Sequence, residues 1–222
     1  MSTPSGITKR SEPFTIGVLV SGSGTNLQAV LDAVKSGSLC AKIGVVVSNV
    51  VTAKALARAR AANVPAIVVD HKAFPTREGF DAAVVEVLRA HGVECVVLAG
   101  FMRLVTPVLL GAFPDRVVNV HPALLPAFPG VHAQKQALDY GVRVSGCTVH
   151  FVDAGMDTGP IVAQATVPVL DGDDEARLGD RILEKEHELL STVLQWIADG
   201  RVSVTRDAGA RPRIVIRAPE GS

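Results

Sequence analysis

Neither sign of charge is in excess in this sequence: 22 Lys and Arg residues are balanced by 22 Asp and Glu, so the formal net charge is zero. That balance supplies no global field to draw the chain to nucleic acid or to an anionic membrane, and any anion has to be held locally. Cysteine is sparse. Cys40, Cys95 and Cys147 are far apart, each sits in apolar company, and none forms a Cys-x-x-Cys pair, so all three are expected to be reduced core thiols of an intracellular protein. No apolar run approaches the ~18 residues that a membrane span needs. The opening "MSTPSGITKRSEPF" also lacks the apolar stretch of a signal peptide. A soluble, cytoplasmic chain with a disordered N-terminus over residues 1–13 is the expectation.

Several catalytic signatures are missing as well. There is no His-Glu-x-x-His, and His71, His91, His132, His150 and His187 are scattered, so no metal site is expected. Of these, His132 and His150 are placed where they could line a cleft, and the other three are assigned to the surface. Ser23 is flanked by single glycines rather than by the G-x-S-x-G of a nucleophile elbow, which argues against a serine hydrolase.

What the sequence does have is a recurrence of short, β-branched apolar runs: "TIGVLV" at 15–20, "IGVVVS" at 43–48, "AIVVD" at 66–70, "CVVLAG" at 95–100 and "VVNV" at 117–120. Runs of that kind read as buried parallel strands. Helical segments lie between them: "TNLQAVLDAVKSG" with Gly37 as its C-cap, "TAKALARARAAN" behind Thr52, and "REGFDAAVVEVLRAHG" ending at Gly92. Alternation of strand and helix means an α/β, doubly wound, mainly parallel sheet. Past residue 140 the pattern changes to longer strands, 144–153 and 159–169, joined by "AGMDT", which predicts an antiparallel extension; a long last helix follows over 174–198. A single domain over 14–200 is expected, with 201–222 as a tail or terminal hairpin.

Polar residues in apolar settings mark the candidate site. Gly22, Ser23, Gly24, Thr25 and Asn26 fall between the first strand and the first helix, where backbone N–H groups and a helix N-terminus can hold a phosphate. A tight turn that needs glycine for its dihedrals alone would look the same. Leu27 occupies the third glycine position of G-x-G-x-x-G, Ser48 and Asn49 stand where a ribose-binding acid is expected, and no lysine completes a P-loop. A single phosphomonoester therefore fits better than NAD or ATP. Asn119 and His121, at i and i+2 of a strand, point to one side of the sheet, either as a working pair or as an ordinary polar strand end. Asp157, in a glycine-flanked loop, is a turn former or a partner for His121. In the last helix Glu186 falls on the apolar stripe of Leu178, Ile182, Leu189, Leu190, Val193 and Ile197, so it either snorkels or is held for a ligand.

Taken together and in order, "SGSGTNLQA", "LAGFMRL", "NVHPALLPAFPG", "GCTVHFVDAGMDTGPI" and "EHELL" resemble the phosphoribosylglycinamide formyltransferases, folate-dependent enzymes of purine biosynthesis, over residues 14–200. The resemblance implies a Rossmann-like formyltransferase fold and transfer of a formyl group from 10-formyltetrahydrofolate to the amine of glycinamide ribonucleotide. It implies Asn119, His121 and Asp157 as the catalytic set, with Asn119 and His121 stabilising the oxygen of the attacked carbonyl and Asp157 favouring the imidazolium. It places the ribonucleotide phosphate on Gly22–Asn26 and its polar groups on Glu186. The folate would lie across Met102, Arg103, Leu104 and Val105, beside Asn119 and the loop Asp153, Ala154, Gly155, Met156 and Asp157, with Arg77 near its carboxylate tail. No metal or nicotinamide is required. The bond before Pro126 is expected to be cis. One departure is Ala123, where serine usually follows His-Pro. Methionyl-tRNA formyltransferases carry an additional C-terminal domain for which the tail after Gly200 looks too short, and deformylases carry an N-terminal domain for which about 13 residues leave no room. A nucleotide-binding module is the alternative from another class. A homodimer is compatible with the sequence, although no feature argues for it.

Overall fold

The computed structural model describes residues 13–219; the N-terminal stretch expected to be mobile lies, but for Pro13, outside them. In chain order the elements are β1 (Phe14–Val20), α1 (Thr25–Ser36), β2 (Ala41–Ser48), α2 (Lys54–Ala61), β3 (Ala66–Val68), a 3-10 turn (His71–Ala73), α3 (Arg77–Ala90), β4 (Cys95–Leu98), α4 (Pro107–Ala112) and β5 (Val117–His121). They continue as α5 (Ala133–Tyr140), β6 (Val144–Phe151), β7 (Ile161–Pro168), α6 (Glu175–Ala198), β8 (Val202–Thr205) and β9 (Arg213–Ile216). Among the described residues no helix is long and apolar enough to cross a membrane.

The first seven strands make one sheet in the order β3-β2-β1-β4-β5-β6-β7, and β8 pairs with β9 alone. β1 to β5 are parallel; β6 and β7 are antiparallel, so the doubly wound sheet with an antiparallel extension is as the sequence predicts. Because the strands are buried on both faces, alternate residues feed two cores. Ile16, Val18 and Val20 meet α1, α2 and α6 through Leu27, Val30, Ala55, Ala59, Leu178, Ile182 and Leu190. Leu19, Val45, Val47, Val96 and Leu98 meet α3 and α4 through Phe80, Val84, Leu88 and Leu109. Chain order reverses between β1 and β4, which places the loops after those two strands side by side at their carboxyl ends.

Several boundaries differ from expectation for local reasons. β3 stops at Val68 because Asp70 turns the chain, accepting from Lys72 N at 3.0 Å. β4 stops at Leu98, and Gly100 follows at φ 70°. The two antiparallel strands are shorter than read: β6 ends at Phe151, and β7 begins at Ile161, after Gly159 has packed so tightly on the Phe151 carbonyl that a Cβ would lie 1.8 Å from it. Thr52 does not cap α2; Ala53 holds that position with no side-chain cap. Cys95 and Cys147 are buried thiols, whereas Cys40 is exposed at the end of the α1–β2 turn, so it is no core residue.

Candidate active site

β5 is the central carrier. Asn119 stands opposite His150 of β6, and His121 opposite Thr148, so the antiparallel pairing brings a second polar strand against the first. His150 is fully buried, and its Nδ1 donates to the Phe151 carbonyl at 3.0 Å. Burial holds its pKa below the usual histidine value, outweighing the Phe151 carbonyl and Asp157, which favour the charged form. In the resulting neutral tautomer Nε2 is an acceptor, and Asn119 Nδ2 donates to it at 3.1 Å. An amide nitrogen carries two hydrogens, so one remains for a ligand.

His121 is 4% exposed. Its Nε2 donates to the Phe128 carbonyl at 2.8 Å, which turns Nδ1 towards Asp157 Oδ2 at 3.4 Å. Asp157 sits at φ 54°, a strained backbone for a residue with a Cβ. Its Oδ2 accepts from Gly130 N at 2.8 Å, and its Oδ1 lies 3.7 Å from His150 Nε2. The carboxylate therefore faces two imidazoles while a backbone amide from the loop after β5 fixes its position.

That loop is itself pinned from below. The Thr148 hydroxyl donates to the Ala123 carbonyl at 2.7 Å and accepts from Leu125 N at 3.0 Å, and Gln164 Nε2 donates to Thr148 Oγ1 and to the Leu125 carbonyl, both at 2.9 Å. The Leu125–Pro126 bond is cis. Ala123 is fully buried, so a hydroxyl there would have to find a partner that methyl does not need.

Above these groups lies a cleft of about 490 Å³. Of the residues expected to hold folate, Met102, Arg103, Leu104, Val105, Asn119, Asp153, Ala154, Gly155, Met156 and Asp157 line it. Arg77 does not; it is exposed at the start of α3, and it is the Arg103 guanidinium that lies beside the cleft, 5.2 Å from the centre of the Phe80 ring. Met102, Leu104, Val131 and Met156 are exposed apolar side chains on the rim, an arrangement suited to a planar heteroaromatic ligand. His132 and His150 both line the cleft, as expected. His71 and His91, assigned to the surface, are partly buried because each Nδ1 donates to a carbonyl, Asn49 and Val87 respectively; His187 is partly buried in α6. Among the described residues no three His, Cys, Asp or Glu side chains converge as metal ligands.

The glycine loop forms a second centre. A Cβ on Gly22 would meet nothing within 4 Å, whereas one on Gly24 would lie 2.6 Å from Ala55 Cβ, and Gly24 has φ 73°. Gly24 is thus demanded by the turn and by α2, while the open side of the loop is at Gly22 and Ser23. The loop's carbonyls are occupied from behind: Ala55 N donates to Gly22 O at 3.1 Å and Arg58 Nε to Ser23 O at 2.9 Å. Asn26 Nδ2 donates to Glu186 Oε2 at 3.0 Å, and Asn26 Oδ1 is buried without a partner. Burial pushes the Glu186 carboxyl up to about 7 despite that bond.

Ser21 stitches the two centres together, and sequence reasoning passed over it. Its hydroxyl accepts from Met102 N at 2.9 Å and donates to Asn49 Oδ1 at 2.6 Å, and its own N–H donates to Gly100 O at 3.2 Å. The only signal was its position as the first residue beyond β1.

Residues 15–194 match the family model described as formyl transferase. The chain is 39% identical over 195 residues to the phosphoribosylglycinamide formyltransferase of Escherichia coli (strain K12), covering 88% of this chain and 92% of that protein. It is 46% identical over 187 residues, or 83% of this chain, to the trifunctional purine biosynthetic protein adenosine-3 of Drosophila pseudoobscura pseudoobscura, of whose length it spans only 14%. Among solved structures, glycinamide ribonucleotide transformylase 1 from Symbiobacterium toebii superposes with a TM-score of 0.89 at 49% identity, covering 97% of this chain and 99% of that one.

Proposed function

The chain belongs to the formyl transferase family, and from that premise we propose that it transfers the formyl group of 10-formyltetrahydrofolate to the amine of glycinamide ribonucleotide, giving N-formylglycinamide ribonucleotide and tetrahydrofolate in purine biosynthesis. The relatives named for that activity support the substrates. The observation that carries the chemistry is the meeting of Asn119, His121 and Asp157 in one apolar cleft, with His121 Nδ1 3.4 Å from Asp157 Oδ2.

As the amine attacks, negative charge gathers on the formyl oxygen. Asn119 donates its second amide hydrogen to that oxygen, its first being spent on His150. His121 offers Nδ1–H in its protonated form; a bond of 3.4 Å to Asp157 is long enough to be shared with a ligand, while the Phe128 carbonyl keeps the ring in place. Asp157, steadied by Gly130 N–H, receives the proton leaving the amine through a water, and that proton passes to N10 of the folate as the carbon–N10 bond breaks and tetrahydrofolate leaves. Folate supplies the activated one-carbon unit, and the exposed rim of Met102, Leu104 and Met156 fits its flat ring.

At the other end, the amides of Gly22–Asn26 take the ribonucleotide phosphate, and Glu186 with Asn26 takes its polar groups. The buried, unpartnered Asn26 Oδ1 is an acceptor waiting for such a donor. A cytoplasmic setting and no resident metal belong to the same reading. Purified protein given both substrates should release tetrahydrofolate, followed by absorbance. Folded protein that releases none overturns the assignment.

A further inference from the structure

The C-terminal hairpin has no part in the chemistry described so far, yet its two strands are docked rather than loose. Val202 is buried, Val204 and Ile214 pack against the core under α6, and β9 lies against β7. The base is closed by Arg217 N donating to Arg201 O at 3.0 Å and Arg201 Nε donating to Arg217 O at 2.8 Å. From this platform the connection between β8 and β9 extends two arginines. Arg206 grips the Asp115 carboxylate with both terminal guanidinium nitrogens, Nη1 at 2.9 Å and Nη2. Arg211 donates through Nη2 to the carbonyl of Thr158.

The two points of contact are the ends of the two segments that carry the reacting side chains. Asp115, held at φ 53°, is the turn residue two positions before β5, the strand of Asn119 and His121. Thr158 is bonded to Asp157 itself. Between these segments the loop is fixed by Val152 N donating to Val117 O at 2.8 Å, by Phe151 N donating to Pro160 O at 2.9 Å, by Gly130 N reaching Asp157, and by Asp153 accepting from Gly155 N and from the Thr158 hydroxyl within the loop. Ala154, Gly155 and Met156 are exposed. Pro160 and the tightly packed Gly159 anchor the far end of the loop on Phe151, which leaves Thr158, the residue next to Asp157, as the point where a further hold acts on the carboxylate's position.

We propose that the C-terminal hairpin is a positioning clamp for the reaction, in which Arg211, on a hairpin braced by Arg206 against Asp115, holds the Asp157 loop in register with β5. The inference rests on the formyl-transfer reading for its kinetic consequence but not for its structural one. Guanidinium geometry suits it, because a planar fork held at one end by packing delivers a directed, charge-assisted bond to a carbonyl. Exposed pairs of this kind add little to stability. Their value here is positional, since displacement of a reacting group by about 1 Å can cost up to about 100-fold in rate.

The test compares Arg211→Ala, Arg206→Ala and Arg211→Lys with the parent by hydrogen exchange and by steady-state kinetics, each variant first checked for an unchanged melting temperature. Exchange at amides 153–159 should quicken about threefold or more in Arg211→Ala and less in Arg206→Ala. Turnover should fall about fivefold in Arg211→Ala, the KM for glycinamide ribonucleotide should stay within about twofold, and Arg211→Lys should recover at least half of the lost turnover. Unchanged exchange in Arg211→Ala overturns the clamp, as does quickened exchange with turnover intact, or a loss spread equally over both substrates and accompanied by lower melting. A parent that transfers no formyl group overturns the functional reading instead, and the clamp is then decided by exchange alone.

Discussion

The two ends of the site are built in opposite ways. At the end we propose for the ribonucleotide, five consecutive residues of one loop, Gly22 to Asn26, would provide the surface, and a single distant side chain, Glu186, is joined to it through one bond of 3.0 Å. At the proposed reacting end, the groups come from β5, from the loop after it, from β6 and from the loop before β7, and each polar atom is fixed by a neighbour on a different segment. The first design needs a turn of the right shape. The second needs several pieces of backbone in mutual register, which is why its residues are accompanied by Thr148, Gln164 and His150, none of which has to touch a substrate.

If that contrast is right, substitutions at the two ends should separate binding from turnover. The largest effect is expected for Asp157→Asn, which keeps the shape and removes the proposed proton acceptor. Its kcat should fall by about 10³-fold while the KM for glycinamide ribonucleotide stays within about twofold. Equal losses in both would erase the distinction between the ends.

Gly24→Ala attacks the other end through its geometry. The added methyl meets Ala55 Cβ at 2.6 Å in a left-handed backbone, and a loss of roughly 3 kcal/mol in denaturant unfolding is expected, with a raised ribonucleotide KM. A fully stable variant with normal KM would mean that the loop is not shaped for its ligand.

Glu186→Gln probes the same end by pH. The folded carboxyl titrates near 7 against 4.5 when unfolded, so between those values the folded state holds the proton that the unfolded chain has lost. Stability contributed by the protonated side chain is complete below pH 4.5 and declines as pH rises towards 7. The parent should lose about 3 kcal/mol over that window relative to the glutamine variant, measured by denaturant titration at several pH values. Parallel curves would show that Glu186 is better solvated than its burial indicates. Smallest of all, Arg143→Ala removes a pair with Asp171 that is exposed on both sides and remote from either end, and neither melting nor kinetics should change measurably.

The same contrast explains what could be read before the structure. The glycine loop was legible because its residues are contiguous, and the parallel strands because burial on both faces leaves unbroken β-branched runs. α6 announced itself by a stripe, and Glu186 on that stripe is indeed buried against α1. By contrast α4 has six residues, too few for a period, and α5 buries only Ala133 and Ala137, starting from a left-handed His132 that no propensity favours. The bond from Asn119 to His150 depends on the register of two antiparallel strands 31 residues apart in sequence. Nothing local encodes it. Cys40 misled for a related reason: Leu39 beside it is buried at 1% exposure, and its own side chain points the other way.

That difference among the thiols makes the molecule selectively addressable. Burial pushes Cys95 and Cys147 up to about 12, far from any pH at which alkylating reagents find thiolate, while Cys40 stands at the surface with its N–H bonded to Gln195 Oε1 at 2.7 Å. A maleimide dye should attach once per native chain, at a point on the turn between α1 and β2, and only denaturant should admit the second and third equivalents.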